Sequence, residues 1–314
     1  MKKNYLIAGG AGYVGSVLTN RLASLGHNVT VLDTMWFGNN LKNNSKIKII
    51  KKDIRDIKNI SLKNIDAVVH LANIANDPSV EINPNLSWEI NVMAGYQLLE
   101  KAKSDGVKKF IFASSGSVYG IKKEKKVTEK LSLVPLSTYN KTKMIFERVM
   151  FSNSSKMKLY CLRPGTICGI SPRMRWDLSV NTLTLSALKN RNIRVFGGNQ
   201  SRSNIHIQDM IRVYQFFLDK ELPEGIYNAA FEVYKIKEVA KLIQKKTKAK
   251  IEYLNSNDRR SYSQNSEKLL NLGFKPNYSV NDAISEIIEL YNQGLIKDSI
   301  NGYNLEKMKK LKIN

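Results

Sequence analysis

The sequence predicts an α/β fold in which helices cover both faces of a doubly wound parallel β-sheet. Three observations predict it. Short Val/Ile-rich runs alternate with longer amphipathic stretches, a glycine-rich turn directly follows the first run, and an acidic residue follows the second. Buried parallel strands are apolar along their whole length and amphipathic helices connect them, so the alternation favours βαβ units.

The elements follow one another in a regular order over the first half of the 314 residues. Strands bounded by polar residues or glycine are expected at Tyr5–Ala8, Asn28–Leu32, Lys46–Ile50, Ala67–Leu71, Lys109–Ala113 and Lys158–Leu162. Helices are expected between them at Val14–Leu25, Leu86–Ser104 and Tyr139–Phe151. After about residue 170 the alternation weakens, and helices are expected at Leu178–Lys189, Ile207–Asp219, Ile236–Lys245 and Val280–Asn292. From Lys297 the sequence predicts a weak terminal helix or a frayed end.

The net charge of +23 comes from 50 basic and 27 acidic residues. A basic protein can bind nucleic acid or a membrane surface. Here the lysines occur in every third of the chain, and no arginine–aromatic platform stands out. We therefore expect a dispersed, solvated charge and neither nucleic acid nor a membrane as a partner. A positive field of this kind would favour phosphate-bearing small molecules.

The sequence patterns predict neither a membrane protein, nor a secreted protein, nor a metal-binding protein. No window approaches the ~18 uninterrupted apolar residues of a membrane helix, and the apolar run Tyr5–Ala8 is too short for a signal peptide. Cys161 and Cys168 cannot make a disulfide framework, and with three scattered histidines no metal site is expected. The expected location is the reducing cytoplasm.

A glycine-rich segment, Gly9–Gly15, lies between the first strand and the first helix. It fits G-x-x-G-x-x-G from Gly9 and G-x-G-x-x-G from Gly10. A pyrophosphate must approach backbone N–H groups at a helix N-terminus, where a Cβ would block it. Such a motif alone could be a structural turn, but Asp33 follows 18 residues beyond Gly15, the spacing of a carboxylate on the adenosine ribose. That carboxylate repels a 2′-phosphate, so the pattern predicts NAD as the cofactor.

Tyr139 and Lys143 form Y-x-x-x-K and share one face of a predicted helix. A nearby cation favours the phenolate of a tyrosine, which is otherwise a poor base at a pKa of about 10. The spacing also arises by chance in lysine-rich helices. The serines of Phe112–Gly120 lie at the end of the fifth strand, where such folds bind ligands. A hydroxyl there can bond the oxygen that the tyrosine deprotonates, although a plain polar turn would look the same.

Taken together, these motifs resemble the extended short-chain dehydrogenase/reductases of the nucleotide-sugar epimerase/dehydratase group. The resemblance runs from about Lys3 to Pro276. Its parts, in order, are Gly9–Gly15, Asp33, Asp53-Ile54, His70-Leu71-Ala72, Asn91, Ser115 four residues before Tyr119, Tyr139 with Lys143, and Arg202–Ile207. Each part is weak alone, and their order and spacing together are specific.

The resemblance implies a role for each matching residue. Ser115, Tyr139 and Lys143 would be catalytic. The NAD-binding residues would be Gly9, Gly12, Tyr13, Val14, Gly15, Asp33, Asp53, Ile54, Leu71, Ala72, Asn73, Asn91, Tyr139, Lys143 and Pro164, with Asp53 on the adenine. The substrate would meet Ser115, Thr166, Asn181, Arg202, Arg260 and Arg173. Arg202 would meet the substrate diphosphate, and either Arg260 or Arg259 would be the second arginine there.

Two departures from the family pattern bear on the reaction. Thr166 stands where many epimerases carry an amide that meets the substrate. The 4,6-dehydratases carry Thr-Asp-Glu from the position of Ser115, whereas this chain has Ser115-Gly116-Ser117. No carboxylate is available there to protonate a leaving hydroxyl, which argues against dehydration. The arginines of the segment Gly169–Leu178, Arg173 and Arg175, could reach the ligand or lie solvated on a loop.

The resemblance implies a Rossmann-type domain, residues 1–170 plus about 205–230, and a smaller substrate-binding domain, about 171–204 plus 231–314. The active site would lie between them. The predicted function is NAD-dependent epimerisation of a nucleotide-diphosphate sugar at C4 through a 4-keto intermediate. The alternatives are a nucleotide-sugar 4-dehydrogenase or 4-ketoreductase, and a dinucleotide-sensing regulator without catalysis. A homodimer through Leu86–Ser104 and Tyr139–Phe151 is expected.

Overall fold

A seven-stranded parallel sheet forms the centre of the protein, seen in a computed structural model that describes residues 1–152, 156–256 and 263–313. The strands are β1 (Asn4–Ala8), β2 (Asn28–Asp33), β3 (Ile47–Lys51), β4 (Ala67–His70), β5 (Lys109–Ala113), β6 (Lys158–Pro164), β7 (Thr166–Cys168), β8 (Asn192–Phe196), β9 (Ser201–His206), β10 (Gly225–Ala229), β11 (Glu232–Lys235) and β12 (Lys250–Leu254). The order across the large sheet is β10-β6-β5-β4-β1-β2-β3. All of its neighbours pair in parallel, so every strand ends at the same edge.

Helices connect the strands. They are α1 (Tyr13–Ser24), α2 (Asp77–Val80), α3 (Pro84–Trp88), α4 (Gly95–Ser104), α5 (Thr138–Phe151), α6 (Ser179–Asn190), α7 (Ile207–Asp219), α8 (Ile236–Thr247), α9 (Glu267–Leu270), α10 (Val280–Asn292) and α11 (Asn304–Lys310). Short 3₁₀ turns lie at Ile54–Asn59, Gly116–Tyr119 and Ile300–Gly302, and a π-helical turn at Glu89–Ala94 joins α3 to α4. Within the described ranges, no helix is both long enough and apolar enough to cross a bilayer.

The core consists of two apolar layers, one on each face of the sheet. Leu6 and Phe110 belong to one layer, and Ile7 and Ile111, their neighbours along the strands, belong to the other. This period-two alternation is what a parallel sheet covered on both faces requires. The predicted fold class is therefore confirmed.

The second half of the chain adds smaller sheets. Strand β9 lies between β7, which it pairs in parallel, and β11, which it pairs antiparallel, and β8 pairs with β12 in parallel. A third apolar cluster, with Ile193 and Val195 of β8, packs beneath α6, α8 and α10. Strand β10 returns to the large sheet beside β6. The domain boundaries given above remain a prediction.

The six strands predicted in the first half are present, each within two residues of the predicted bounds. The expected helix Leu86–Ser104 was wrong in two respects. It begins earlier, because Asn83 caps α3 by accepting a hydrogen bond from the backbone N–H of Leu86, and the π-helical turn interrupts it. Six later strands, β7 to β12, were not predicted. The terminal helix predicted from Lys297 corresponds to the short α11.

Candidate active site

The glycines of the first turn are required by the chain's own backbone. Gly9 has φ +82°, and a Cβ on it would lie 2.6 Å from the backbone nitrogen of Ala72. A Cβ on Gly15 would lie 2.1 Å from the carbonyl oxygen of Gly9. Larger residues would therefore push α1 away from the end of β1.

The N-terminus of α1 is open to an anion. Gly12 is its N-cap residue, no side chain caps the helix, and its first turn contains no acidic residue. The first N–H groups of a helix have no partner within it and carry a partial positive charge, so they bind phosphate. Tyr13 and Val14 belong to this first turn. The phenol of Tyr13 donates to the carbonyl oxygen of Gly169 at 2.8 Å, so it ties the turn to a later loop.

Asp33 lies at the end of β2 and is fixed by backbone donors. Its Oδ2 accepts from the N–H of Ala11 at 2.9 Å and its Oδ1 from the N–H of Met35 at 2.7 Å. Burial raises the pKa of the Asp33 carboxyl, while the two backbone hydrogen bonds and the nearby Arg173 act in the opposite direction. The carboxylate is thus held at one end of the glycine turn, where the sequence predicts the ribose site.

A cavity open to solvent lies along the strand ends beside the glycine turn. The lining residues predicted to bind NAD are Gly9, Gly12, Asp33, Asp53, Ile54, Leu71, Ala72 and Asn73. Trp36 and Phe37 add aromatic surface that was not predicted from the sequence. The residues that form this wall lie between Gly9 and Ile90, so the segments that follow β1, β2, β3 and β4 build it.

Polar groups beside the cavity are available to bind a dinucleotide. Asn73 lines the cavity, and its buried Oδ1 has no hydrogen-bond partner among the described residues, while its Nδ2 donates to the carbonyl oxygen of Ala72. Asn91 holds the same loop through both of its amide atoms, which bond the backbone of Ile74 at 2.8 and 3.1 Å. The open helix end, the fixed Asp33 and the orphaned Asn73 oxygen together fit NAD.

The carboxylate of Asp53 is paired with a neighbouring arginine. Both of its carboxylate oxygens accept from the guanidinium of Arg55, at 3.1 and 3.0 Å, and it also caps the turn that begins at Ile54. Ile54 is buried in the core beside the cavity. The pair keeps its predicted place at the cavity wall, and the contact of Asp53 with adenine remains a prediction.

Tyr139 and Lys143 lie on α5, which begins after Ser137 accepts a hydrogen bond from the N–H of Asn140. The ammonium of Lys143 lies 5.8 Å from the centre of the Tyr139 ring and donates to the carbonyl oxygen of Ala113 at 2.5 Å. Lys143 is 3% exposed, and burial lowers its pKa to about 7. The structure therefore places a desolvated amine beside the phenol, at the end of β5.

Ser115 caps the 3₁₀ turn at the end of β5. Its Oγ lies 2.7 Å from the Oγ of Ser117, which in turn bonds the side-chain oxygen of Asn140 on α5. Asn140 directly follows Tyr139, so this chain of hydrogen bonds ties the serine turn to the start of the helix. The predicted catalytic residues thus lie on two adjoining segments at the ligand-binding edge of the sheet.

A buried ion pair beneath these residues was not predicted. Glu147 bonds Arg163 through both oxygens, at 3.0 and 2.5 Å, and also accepts from Ser114. Each side chain of the ion pair is 2% exposed. The spacing of Glu147, four residues after Lys143, is the only sequence signal for it. Arg163 also donates to the phenol oxygen of Tyr119 at 2.8 Å, so the network fixes β5 and β6 relative to α5.

Gly116 is crowded by a residue that sequence reasoning missed. A Cβ on Gly116 would lie 2.1 Å from the side-chain oxygen of Gln264. Gln264 is buried and its amide nitrogen donates to the carbonyl oxygen of Arg163 at 3.0 Å. A carboxylate side chain at position 116 would therefore have to displace a hydrogen-bonded residue.

The residues predicted to bind the substrate differ in burial and in their hydrogen bonds. Thr166 and Arg202 lie half-buried on the paired strands β7 and β9. The Asn181 side chain is fully buried, and its amide bonds the N–H of Gly169, the phenol of Tyr13 and the carbonyl oxygen of Arg175. Its substrate contact would have to replace one of these bonds.

Three other residues were predicted to contact a ligand. Arg173 packs on Phe37 of the cavity wall, with its guanidinium carbon 3.9 Å from the ring centre. Pro164 ends β6 opposite Ala229 of β10. Arg260, together with its alternative Arg259, lies outside the described residues.

A family model describes this architecture. The model of the NAD dependent epimerase/dehydratase family matches residues 5–230, which include the glycine turn, the serine turn and α5.

Individual proteins are similar over comparable lengths. The chain is 29% identical over 215 residues to a putative UDP-glucose 4-epimerase of Methanocaldococcus jannaschii, covering 66% of this chain and 70% of the relative. It is 27% identical over 314 residues to the UDP-glucose 4-epimerase of Lacticaseibacillus casei, covering 90% and 94%. The solved structure of UDP-glucuronic acid 4-epimerase from Bacillus cereus, in complex with UDP-glucuronic acid and NAD, has a TM-score of 0.79 at 27% identity and covers 92% of this chain and 100% of that chain. Because the family model spans well over half of the chain, the protein belongs to the NAD dependent epimerase/dehydratase family.

Proposed function

We propose that the protein is an NAD-dependent epimerase that inverts C4 of a nucleotide-diphosphate sugar through a 4-keto intermediate. The observation that carries the proposal is the meeting of Ser115, Tyr139 and Lys143 at the strand ends, with no carboxylate beside them at positions 116 and 117. The named relatives are UDP-sugar 4-epimerases, which supports the same reaction and makes UDP-sugars the first substrates to test.

The residues of the site divide the work of this reaction between them. Bound NAD supplies a reversible hydride acceptor, which no side chain offers. The phenol oxygen of Tyr139 takes the proton of the C4 hydroxyl and gives it back to the product. The ammonium of Lys143 favours the phenolate form of that oxygen. The hydroxyl of Ser115 donates a hydrogen bond to the reacting sugar oxygen and keeps it aligned with the phenol.

Dehydration would need a further acid to protonate a departing hydroxyl. Position 117 is a serine whose hydroxyl is engaged with Asn140, and position 116 is a glycine against Gln264. Neither can donate a proton of carboxylic acidity. The site thus supplies one acid/base for one hydroxyl, which is what epimerisation at a single carbon requires.

The deciding experiment incubates the enzyme with a panel of nucleotide sugars in deuterated water and follows the products by NMR. We expect a C4 epimer without deuterium at C4, because the hydrogen that returns to carbon is the one that left it. Release of a keto sugar with stoichiometric NADH would favour the 4-dehydrogenase. Deuterium at C5 with loss of the 6-hydroxyl would contradict both and indicate a dehydratase.

We also infer a homodimer through the Pro84–Ser104 segment and α5, and a cytoplasmic location. Exposed apolar side chains support the first inference, since Met93 is 54% exposed and Tyr96 and Phe151 are each 37% exposed. Light scattering of the wild type and of Met93→Lys tests the homodimer, and a monomeric wild type would contradict it.

The free thiols of Cys161 and Cys168 agree with a reducing compartment, and cell fractionation tests the cytoplasmic location.

A further inference from the structure

Arg173 is a buried cation that makes no ion pair with any residue in the described part of the chain. It is 3% exposed, and its Nε has no hydrogen-bond partner there. Burial, together with the nearby charge of Arg175, lowers the pKa of Arg173 to about 9, although the carboxylates of Asp177 and Asp33 act in the opposite direction from a distance. A buried charge without an ion-pair partner is costly, so a bound anion would stabilise it.

The neighbouring arginine is already neutralised. Arg175 bonds the carboxylate of Asp177 through two nitrogens, at 2.9 and 3.0 Å. Asp177 is thus bonded to Arg175, and it acts on Arg173 only from a distance.

This segment lies against the first turn of α1. The hydroxyl of Ser171 donates to the carbonyl oxygen of Tyr13 at 2.6 Å, and the phenol of Tyr13 donates back to the carbonyl oxygen of Gly169 at 2.8 Å. From there Arg173 extends over Phe37, which lines the dinucleotide cavity together with Asp33. The unpaired charge therefore lies between the open end of α1 and the cavity wall.

Asn304 of α11 holds the guanidinium in this place. Its Oδ1 accepts from Arg173 at 2.5 Å, and its Nδ2 donates to the carbonyl oxygen of Ala75 at 3.0 Å. Its backbone N–H donates to Asp177 at 3.3 Å. One buried amide from the end of the chain thus joins the arginine segment to the loop that follows β4.

We propose that Arg173 is a cofactor-positioning residue whose charge complements the diphosphate of the bound dinucleotide, and that Asn304 positions it. The assignment moves Arg173 from the predicted substrate contacts to the cofactor side of the cleft. It rests on dinucleotide binding by this family and does not depend on the reaction at C4, so the two proposals can fail separately.

The test measures binding of NAD, ADP-ribose and adenosine to nucleotide-free, full-length protein by calorimetry. For Arg173→Met we expect about 10- to 100-fold weaker binding of NAD and ADP-ribose, the scale of one charge pair in a partly desolvated site, with adenosine binding unchanged. The matched control is Arg194→Met, an exposed arginine on β8, which should leave all three affinities unchanged. Because salt screens charges, the affinity of the wild type for ADP-ribose should fall more steeply with ionic strength than that of Arg173→Met.

Two further variants keep the test decisive if Arg173→Met folds poorly. Arg173→Lys retains the charge and should bind ADP-ribose more tightly than Arg173→Met. Asn304→Ala should weaken ADP-ribose binding but not adenosine binding, whereas Lys309→Ala, an exposed change on the same helix, should weaken neither. Unchanged ADP-ribose affinity in Arg173→Met and Asn304→Ala, or an equal loss for adenosine, would overturn the proposal.

Discussion

Replacing Lys143 with methionine should stabilise the nucleotide-free protein at low pH while it abolishes function. The ammonium is buried, and burial lowers its pKa from 10.5 to about 7. At about 1.4 kcal/mol per pH unit, this difference means that folding at pH 6 carries a penalty of about 5 kcal/mol. Methionine has a similar volume and no charge to desolvate, so it removes the penalty.

The net gain is smaller than the penalty. The substitution also removes the hydrogen bond from Lys143 to the carbonyl oxygen of Ala113, at a cost of about 1.5–3 kcal/mol. We therefore expect Lys143→Met to raise the free energy of unfolding by about 2–3 kcal/mol at pH 6.

The sign of the pH dependence follows from proton binding. Below pH 7 both the folded and the unfolded states carry the charge, so the penalty is complete. Between about 7 and 10.5 only the unfolded state binds the proton, so the stability of the wild type rises with pH relative to the variant. Near pH 9 the remaining penalty is about 2 kcal/mol and the difference between the two proteins should be close to zero.

Urea unfolding of nucleotide-free wild type and Lys143→Met at pH 6 and pH 9 measures this difference. Lys141→Met, an exposed change on the same helix, is the control and should show no pH-dependent difference. A stability difference that is the same at both pH values, or a loss of stability at pH 6, would refute the reasoning. In parallel, Lys143→Met should lose both turnover and NAD affinity, because the ammonium serves the phenol and the cofactor.

Three further predictions concern single side chains. Tyr139→Phe should lower turnover by about 10²-fold or more, since it deletes the general acid/base, while calorimetry shows nearly unchanged binding of the nucleotide sugar; wild-type turnover would move the role elsewhere. NAD should bind more tightly than NADP because the Asp33 carboxylate repels a 2′-phosphate, and Asp33→Asn should narrow the difference; tighter NADP binding to the wild type would contradict this. Glu147→Gln should cost about 3–5 kcal/mol of stability in urea unfolding, because it leaves Arg163 charged and unpaired in the core; a neutral effect would show that the pair is dispensable.

The strands that are easiest to predict from the sequence are those whose own residues form a buried apolar run. Strands β1, β4 and β5 are apolar runs, and such runs mark parallel strands without reference to the rest of the chain. Strand β9 reads Ser201–His206 and is mostly polar, so no local pattern indicates it. It exists because β7 and β11 pair with it on either side, and these partners are distant in sequence.

The same division holds for the site. The glycine turn and Asp33 were predictable because their tasks are set by backbone geometry within a single βα unit and the next strand. Gln264 against Gly116, and Asn304 on Arg173, were not predictable, because each contact joins positions more than a hundred residues apart. Asn181 is the opposite case, since its amide is engaged three times within the fold and the sequence does not indicate this, and its substrate contact stays a prediction.

The buried network explains why the charge of Lys143 remains available to Tyr139. Glu147 lies one helical turn beyond Lys143 and could have paired with it. Arg163 instead occupies both oxygens of Glu147, and Ser114 bonds one of them as well. Glu147 still favours the charged form of Lys143 at a distance, while the ammonium itself keeps only a neutral carbonyl as its bonded partner among the described residues. A direct ion pair would have stabilised the lysine and offset part of its charge at the phenol, so Arg163 keeps that charge available by occupying the carboxylate.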